Sequence, residues 1–129
     1  MSDELFEKGM TVRKSVLGAE HVARAEANKT EFDADFQRII TEGAWGAIWT
    51  RPGLDKKTRH MLTIAMLAAL GKVDELAMHI RATRNTGVTQ AEVREILLQV
   101  LVYAGAPAAN SAFAIAKGVY KELESDRNG

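Results

Sequence analysis

The sequence has 129 residues, of which 47% are apolar and 26% are charged, proportions typical of a soluble globular protein. This length is sufficient to bury a hydrophobic core, so we expect a single domain over residues 1–129. The 17 basic residues equal the 17 acidic residues in number, without the basic excess that nucleic-acid binders usually carry. There is no cysteine, which excludes disulfides and thiolate metal sites.

Neither a membrane span nor a secretion signal is predicted. The apolar, uncharged run of residues 61–71 is shorter than the roughly 20 apolar residues that cross a bilayer. The N-terminal residues lack the charged and apolar blocks of a signal peptide. We therefore expect a cytoplasmic protein without membrane or nucleic-acid partners.

The first half of the chain contains two predicted helices. Apolar residues spaced three and four apart predict a helix over residues 3–17, and Gly18 would end it. Residues 18–30 have no clean period and are predicted to form a loop with at most a helical turn. A second helix is predicted over residues 31–48, with a break near Gly43. Its apolar face would consist of Phe32, Phe36, Ile39 and Ile40.

Four further helices are predicted after a turn at residues 50–53. The helix over residues 55–70 is apolar on nearly all sides, so we expect it to be buried within the fold or within an oligomer. The next covers residues 73–86 and ends at Gly87. A capping box of Thr89 and Glu92 begins the following helix, and Pro107 begins the last one. The fold class is therefore all-α, with about six helices.

Glu75 and His79 are four residues apart, so their side chains share one helix face. A carboxylate beside an imidazole stabilises the protonated ring and orients it, which suits a general acid or base. The alternative is an ordinary surface pair that contributes only a few tenths of a kcal/mol. Spacing alone leaves both interpretations open.

Other residues offer weaker signals. Arg59 enters an apolar helix, where its guanidinium could bind a carboxylate, or could simply be solvated in the first turn. Arg81 lies about 160° around the helix from His79 at 100° per residue, so only a partner subunit could bring the two together. Trp45 could line a pocket, although aromatic residues at such spacings are more often core. The three histidines share no ligand spacing, so no metal site is predicted.

Three segments resemble the carboxymuconolactone decarboxylase family: Glu75-Leu-Ala-Met-His79, Gly87-Val-Thr-Gln-Ala-Glu92 and Tyr103-Ala-Gly-Ala-Pro107. Two N-terminal segments, residues 10–22 and 41–46, are similar to its 4-carboxymuconolactone decarboxylase branch. The superfamily also contains alkylhydroperoxidase (AhpD-like) proteins with a CxxCxxxH motif. Here Lys72 and Glu75 stand where those cysteines would be, which excludes that thiol chemistry.

The resemblance implies an AhpD-like helical fold, assembled as a homo-trimer or homo-hexamer with sites near subunit interfaces. It implies a dicarboxylate lactone substrate, 4-carboxymuconolactone, decarboxylated without a cofactor to 3-oxoadipate enol-lactone in protocatechuate catabolism (β-ketoadipate pathway). On this hypothesis His79 donates a proton and Glu75 orients it. Arg59 is the leading carboxylate anchor. The other expected substrate-binding residues are Arg13, Arg81, His21 and Trp45.

A second hypothesis remains open, because a fold does not determine a function. The chain could be a non-decarboxylating member of the family: a small-molecule-binding or stress-related oligomer, or an isomerase or hydrolase. The match over residues 10–22 favours the decarboxylase. Release of carbon dioxide without any added cofactor distinguishes the two hypotheses.

Overall fold

The computed structural model describes residues 3–128, and every regular element within this range is helical. This confirms the all-α class. In chain order the elements are α1 (Asp3–Leu17), α2 (Ala19–Asn28), α3 (Ala34–Ile40), a π-helix (Thr41–Gly46), α4 (Lys56–Leu70), α5 (Val73–Thr86), α6 (Gln90–Ala104) and α7 (Ala106–Asn128). They form two compact units, Met1–Lys56 and Lys57–Gly129. The single domain expected from the chain length stays a prediction.

Two predictions for the N-terminal unit are wrong. Residues 19–28 form α2 instead of a loop, because their alanine, glutamate and arginine residues favour helix although only Val22 is buried. The helix predicted over residues 31–48 is divided into α3 and the π-helix. Near Gly43, where a break was predicted, the chain continues as a π-helix. The apolar face expected there is largely exposed, with Phe32 98% accessible.

In the N-terminal unit, α1 packs against the π-helix with little space between the two backbones. A Cβ atom on Gly9 would collide with the Thr41 carbonyl oxygen and would lie 2.9 Å from the Gly46 nitrogen. A Cβ on Gly46 would lie 2.5 Å from the Leu5 carbonyl oxygen. These two glycines therefore permit the close approach of the two helices.

We expect Gly9→Ala to lower the free energy of unfolding by about 1–3 kcal/mol or more, since the colliding atoms are backbone and cannot rotate away. Gly43→Ala is the matched control, because nothing lies within 4 Å of a Cβ there and alanine favours helix. Chemical denaturation of both variants measures the difference. Equal stability of the two variants would contradict the close packing.

The C-terminal unit contains α4 to α7 around one apolar core. The largest fully buried apolar side chains in it are Ile64, Leu76, Ile80, Leu97 and Val93. Gly87 ends α5 with φ of 83°, as predicted. The capping box at the start of α6 is also confirmed, since the Thr89 side chain accepts from the Glu92 amide and the Glu92 carboxylate accepts from the Thr89 amide.

One face of α4 is buried and another is exposed. His60, Ile64 and Ala68, spaced four residues apart, face the interior. Leu62, Met66 and Leu70, spaced in the same way, are exposed. In the single chain, α4 is therefore buried on one face only, and not on most sides as predicted. Other large apolar residues exposed in this unit are Val73, Leu98, Leu101, Val102 and Tyr103.

Within residues 3–128, no helix combines the length and the apolarity needed to cross a membrane.

Candidate active site

His79 lies in the interior of the C-terminal unit, with only 7% of its surface exposed. It belongs to α5, where Leu76 and Ile80 on the same side of the helix are buried in the core. The imidazole is therefore held by packing and is not a mobile surface group. A rigid, largely dehydrated position is what a proton donor in an active site requires.

The structure pairs His79 with a second histidine, His60 of α4. Nδ1 of His79 lies 3.1 Å from Nε2 of His60, and the two rings meet edge to face with centroids 5.2 Å apart. Nδ1 of His60 lies 2.6 Å from Oγ1 of Thr86, at the end of α5. Contacts between α4 and α5 thus hold both ring nitrogens of His60 and Nδ1 of His79.

His60 is fully buried, and this burial lowers its pKa to about 4 from an ordinary value of 6.5. Moving the imidazolium out of water is unfavourable, so the neutral ring predominates at pH 7. A neutral imidazole has one donor and one acceptor nitrogen. His60 can therefore accept a hydrogen bond from His79 without placing a second positive charge beside it.

Sequence reasoning did not identify His60 as the partner of His79, or Thr86 as the partner of His60. A signal for His60 was present, because His60, Ile64 and Ala68 continue one stripe of α4 at four-residue spacing. A histidine on such a stripe is buried, and a buried histidine needs hydrogen-bond partners. Which residues those partners are depends on how α4 and α5 pack, and the sequence pattern does not specify that.

Glu75 has a different environment from the one its spacing suggested. It is exposed in the first turn of α5, one turn before His79. The hydrogen bond at His79 Nδ1 involves His60. The role of Glu75 in orienting His79 stays a prediction, and His60 is an additional candidate for that role.

Two candidate arginines lie in the C-terminal unit. Arg59 is half-buried in the first turn of α4, directly before His60. Arg81 reaches α7, where Nε donates to a Glu122 oxygen at 2.6 Å and a terminal nitrogen donates to the other at 3.3 Å. This hydrogen-bonded pair lowers the pKa of the Glu122 carboxyl. Arg81 thus already holds a carboxylate of its own chain.

The remaining candidates belong to the N-terminal unit. Arg13 is buried on α1 and donates to Glu26 at 3.4 Å and to Gln37 at 3.3 Å, so that it connects α1, α2 and α3. His21 is half-buried on α2. Trp45 is buried in the π-helix and stacks on Trp49 with ring centroids 4.9 Å apart. The substrate-binding roles of all three stay predictions.

His79 does not line either of two cavities in the C-terminal unit. In residues 3–128, no group of three or more His, Asp or Glu side chains is arranged to hold a metal ion. A cavity of about 590 Å³ in the C-terminal unit is lined by Arg84, Gln90, Tyr120 and neighbouring α7 residues. A smaller cavity of about 170 Å³ between α6 and α7 shares Gln90 and Tyr120 with it.

Comparison with known proteins identifies the family. Residues 34–118 match the carboxymuconolactone decarboxylase family, and this range includes His60, His79 and Thr86. The chain belongs to the carboxymuconolactone decarboxylase family. Its helical structure and the position of His79 on α5 agree with the resemblance inferred from the motifs.

Three relatives extend this match. A 4-carboxymuconolactone decarboxylase of Acinetobacter baylyi is 48% identical over 124 residues, which cover 95% of this chain and 92% of the relative. A nitrosuccinic acid decarboxylase of Metarhizium robertsii is 42% identical, over 94% of this chain and 91% of the relative. An uncharacterized 15.0 kDa protein of Paracoccus denitrificans is 36% identical over 64% of this chain and 63% of its own length.

Proposed function

We propose that the protein is a carboxy-lyase that converts 4-carboxymuconolactone to 3-oxoadipate enol-lactone in the breakdown of protocatechuate. The identity of 48% with the Acinetobacter relative, over nearly the full length of both chains, is the observation that carries this proposal. The N-terminal segment of residues 10–22, outside the range of the family match, adds to it. The buried His79 supplies the group that the reaction needs.

The reaction breaks one carbon–carbon bond and makes one carbon–hydrogen bond. The departing carboxylate leaves as carbon dioxide, and its bonding electrons spread through the ring double bond to the lactone carbonyl as a dienolate. A proton then returns to carbon. Because the substrate contains its own electron sink, the chemistry does not require pyridoxal, thiamine or a metal.

In this mechanism the protein positions the substrate and donates the proton. His79 is the proton donor, since it is buried and held by a hydrogen bond at Nδ1. Arg59, one residue before His60, is the leading anchor for the retained carboxylate, with Glu75 near His79 as a second orienting group. Arg13 and Arg81 are alternative anchors, while His21 and Trp45 are expected to line the site.

We also propose that the active form is a homo-trimer or homo-hexamer in the cytoplasm. The exposed face of α4 and the end of α6 both carry large apolar side chains that the single chain leaves uncovered, and contiguous exposed apolar surface often marks an interface with another chain. A second copy of the chain would bury that surface. Such an interface could also bring the arginines of one subunit to the site of another.

The Metarhizium relative favours a second candidate substrate. Nitrosuccinic acid, like the lactone, carries carboxylates near an electron-withdrawing group. Loss of carbon dioxide next to a nitro group leaves a nitronate, which again needs only a proton. The identity of 42% over nearly the whole chain makes a nitro acid the next compound to consider.

The purified protein should release one carbon dioxide per 4-carboxymuconolactone consumed, after dialysis against a chelator and with no cofactor added. The carbon dioxide released is measured directly, and the lactone consumed is measured in the same sample from the loss of its absorbance. Nitrosuccinic acid at the same concentration is the matched comparison, and we expect a lower kcat/KM with it. No turnover of either compound would favour a non-decarboxylating member of the family.

A further inference from the structure

A chain of hydrogen bonds connects the backbone of α5 to His79 through Thr86 and His60. The Thr86 hydroxyl donates to the Thr83 carbonyl oxygen at 3.4 Å. The Thr86 oxygen lies 2.6 Å from His60 Nδ1, and it can accept a hydrogen bond from that nitrogen while its own proton goes to the Thr83 carbonyl oxygen. In this arrangement His60 carries its proton on Nδ1 and a lone pair on Nε2; if Thr86 donated to Nδ1 instead, the proton of His60 would be on Nε2.

With His60 in the first of these tautomers, the same connection determines the proton positions on His79. The lone pair on His60 Nε2, 3.1 Å away, accepts a hydrogen bond from Nδ1–H of His79. In its neutral form His79 then keeps its proton on Nδ1. When the ring is protonated, the additional proton is on Nε2. Nε2 is therefore the atom of His79 that gives up and regains a proton.

We propose that His60 is a positioning residue for the decarboxylation: it holds His79 in the tautomer whose Nε2 donates the proton, and Thr86 fixes the tautomer of His60. This inference rests on the proposed function and adds to it the residues on which His79 depends. In the protonation step the Nε2–H bond of the imidazolium breaks and a carbon–hydrogen bond forms on the dienolate. The electrons of the N–H bond stay on Nε2, and no proton passes through His60.

The surroundings of His60 suit this role. The ring has no exposed surface, so substrate does not reach it and it acts only through His79. After the proton transfer, His79 is left in the neutral form with Nδ1–H, which is the form that His60 binds. The protonated ring uses the same hydrogen bond, so His79 keeps its orientation through the whole cycle. A fixed orientation of this kind lowers the cost of each turnover.

The tautomer of His79 can be read directly by nitrogen NMR of protein labelled with ¹⁵N-histidine. With three histidines in the chain, variants assign each ring. In the wild type above pH 7 we expect His79 to be protonated on Nδ1. His60→Leu removes the acceptor, and His79 should then shift toward protonation on Nε2. His60→Gln places an amide oxygen within reach of His79 and should restore the wild-type pattern in part.

Activity gives the second measurement. We expect His60→Leu to reduce kcat about 10-fold to 100-fold, as for other residues that hold a reacting group in place, with KM changed less than about twofold. His60→Gln should recover part of kcat. Thr86→Val should lower kcat less than His60→Leu. Thr63→Val is its control, because the Thr63 hydroxyl donates to a backbone carbonyl oxygen of its own helix, that of Arg59.

The two measurements separate this inference from the proposed function. If the wild type does not decarboxylate the lactone, the function fails, while the NMR experiment still decides whether His60 controls the tautomer of His79. An unchanged His79 tautomer in folded His60→Leu and Thr86→Val would overturn the inference. An equal loss of kcat in His60→Leu and His60→Gln, with no rescue by the amide, would do the same.

Discussion

Replacing His79 by glutamine is expected to lower kcat for decarboxylation by about 10²- to 10⁴-fold, the usual contribution of a positioned acid or base. Glutamine keeps a polar side chain that can donate to His60, but it cannot supply a proton to carbon. Since the substrate itself holds the electrons released by carbon dioxide, the effect should fall on protonation and leave binding nearly unchanged. KM should therefore change much less than kcat.

Stopped-flow measurement of lactone decay and of carbon dioxide release tests this prediction. Circular dichroism and size-exclusion chromatography establish that the helices and the assembly are intact. Arg84→Gln is the control, because Arg84 is exposed in the last turn of the same helix. A His79→Gln variant that keeps more than about half of the wild-type kcat would require a different proton donor.

Local patterns were sufficient to predict most of the helices. The Thr89–Glu92 capping box and Gly87 at the end of α5 act within one turn of the chain, and both have the predicted conformation. The helix α2 was missed because its stability comes from residues that favour helix and not from a regular apolar stripe. The π-helix was missed because it depends on tertiary contacts, including the close approach of α1 at Gly9.

The candidate site was predictable in part. Spacing and motif predicted Glu75 and His79 on one helix, and both residues lie on α5. The side chain that bonds His79 in the structure is instead 19 residues away in sequence, on another helix. A pattern within one helix identifies neighbours on that helix only. The contacts between α4 and α5 depend on how the two helices pack, and apolar periodicity does not determine which polar groups then meet.

The same difference between local pattern and tertiary packing applies to the arginines predicted as carboxylate anchors. A cation such as Arg13 or Arg81 can be recognised as a possible carboxylate anchor from its type alone. The structure shows that each already binds a carboxylate of its own chain, Glu26 and Glu122 respectively. Arg13 is buried, whereas the Arg81 pair is partly solvated, so removing Arg81 should have the smaller effect on stability. Their predicted binding roles therefore have to be tested together with their structural ones.

The buried His60 leads to a second large effect, on stability as a function of pH. An unfolded histidine titrates near pH 6.5, whereas burial lowers the pKa of His60 to about 4. Between these two values the unfolded chain binds a proton that the folded chain does not. Stability therefore falls as the pH falls through this window, and the contribution of His60 amounts to about 3 kcal/mol. Above pH 6.5 the full contribution is present, and below pH 4 no more is lost.

The wild type should lose about 3 kcal/mol more stability than His60→Gln between pH 7.5 and pH 4, because glutamine does not titrate. Urea denaturation of both proteins at one protein concentration, over several pH values, gives this difference, and equal concentrations matter because an oligomer is stabilised by mass action. Titrating groups that do not contact His60 are common to the two proteins, so their effects cancel in the comparison. If the two curves of unfolding free energy against pH run parallel through this window, then His60 takes up its proton as readily in the folded protein as in the unfolded one. A ring of that kind would be charged beside His79 under mildly acidic conditions and would not accept its hydrogen bond.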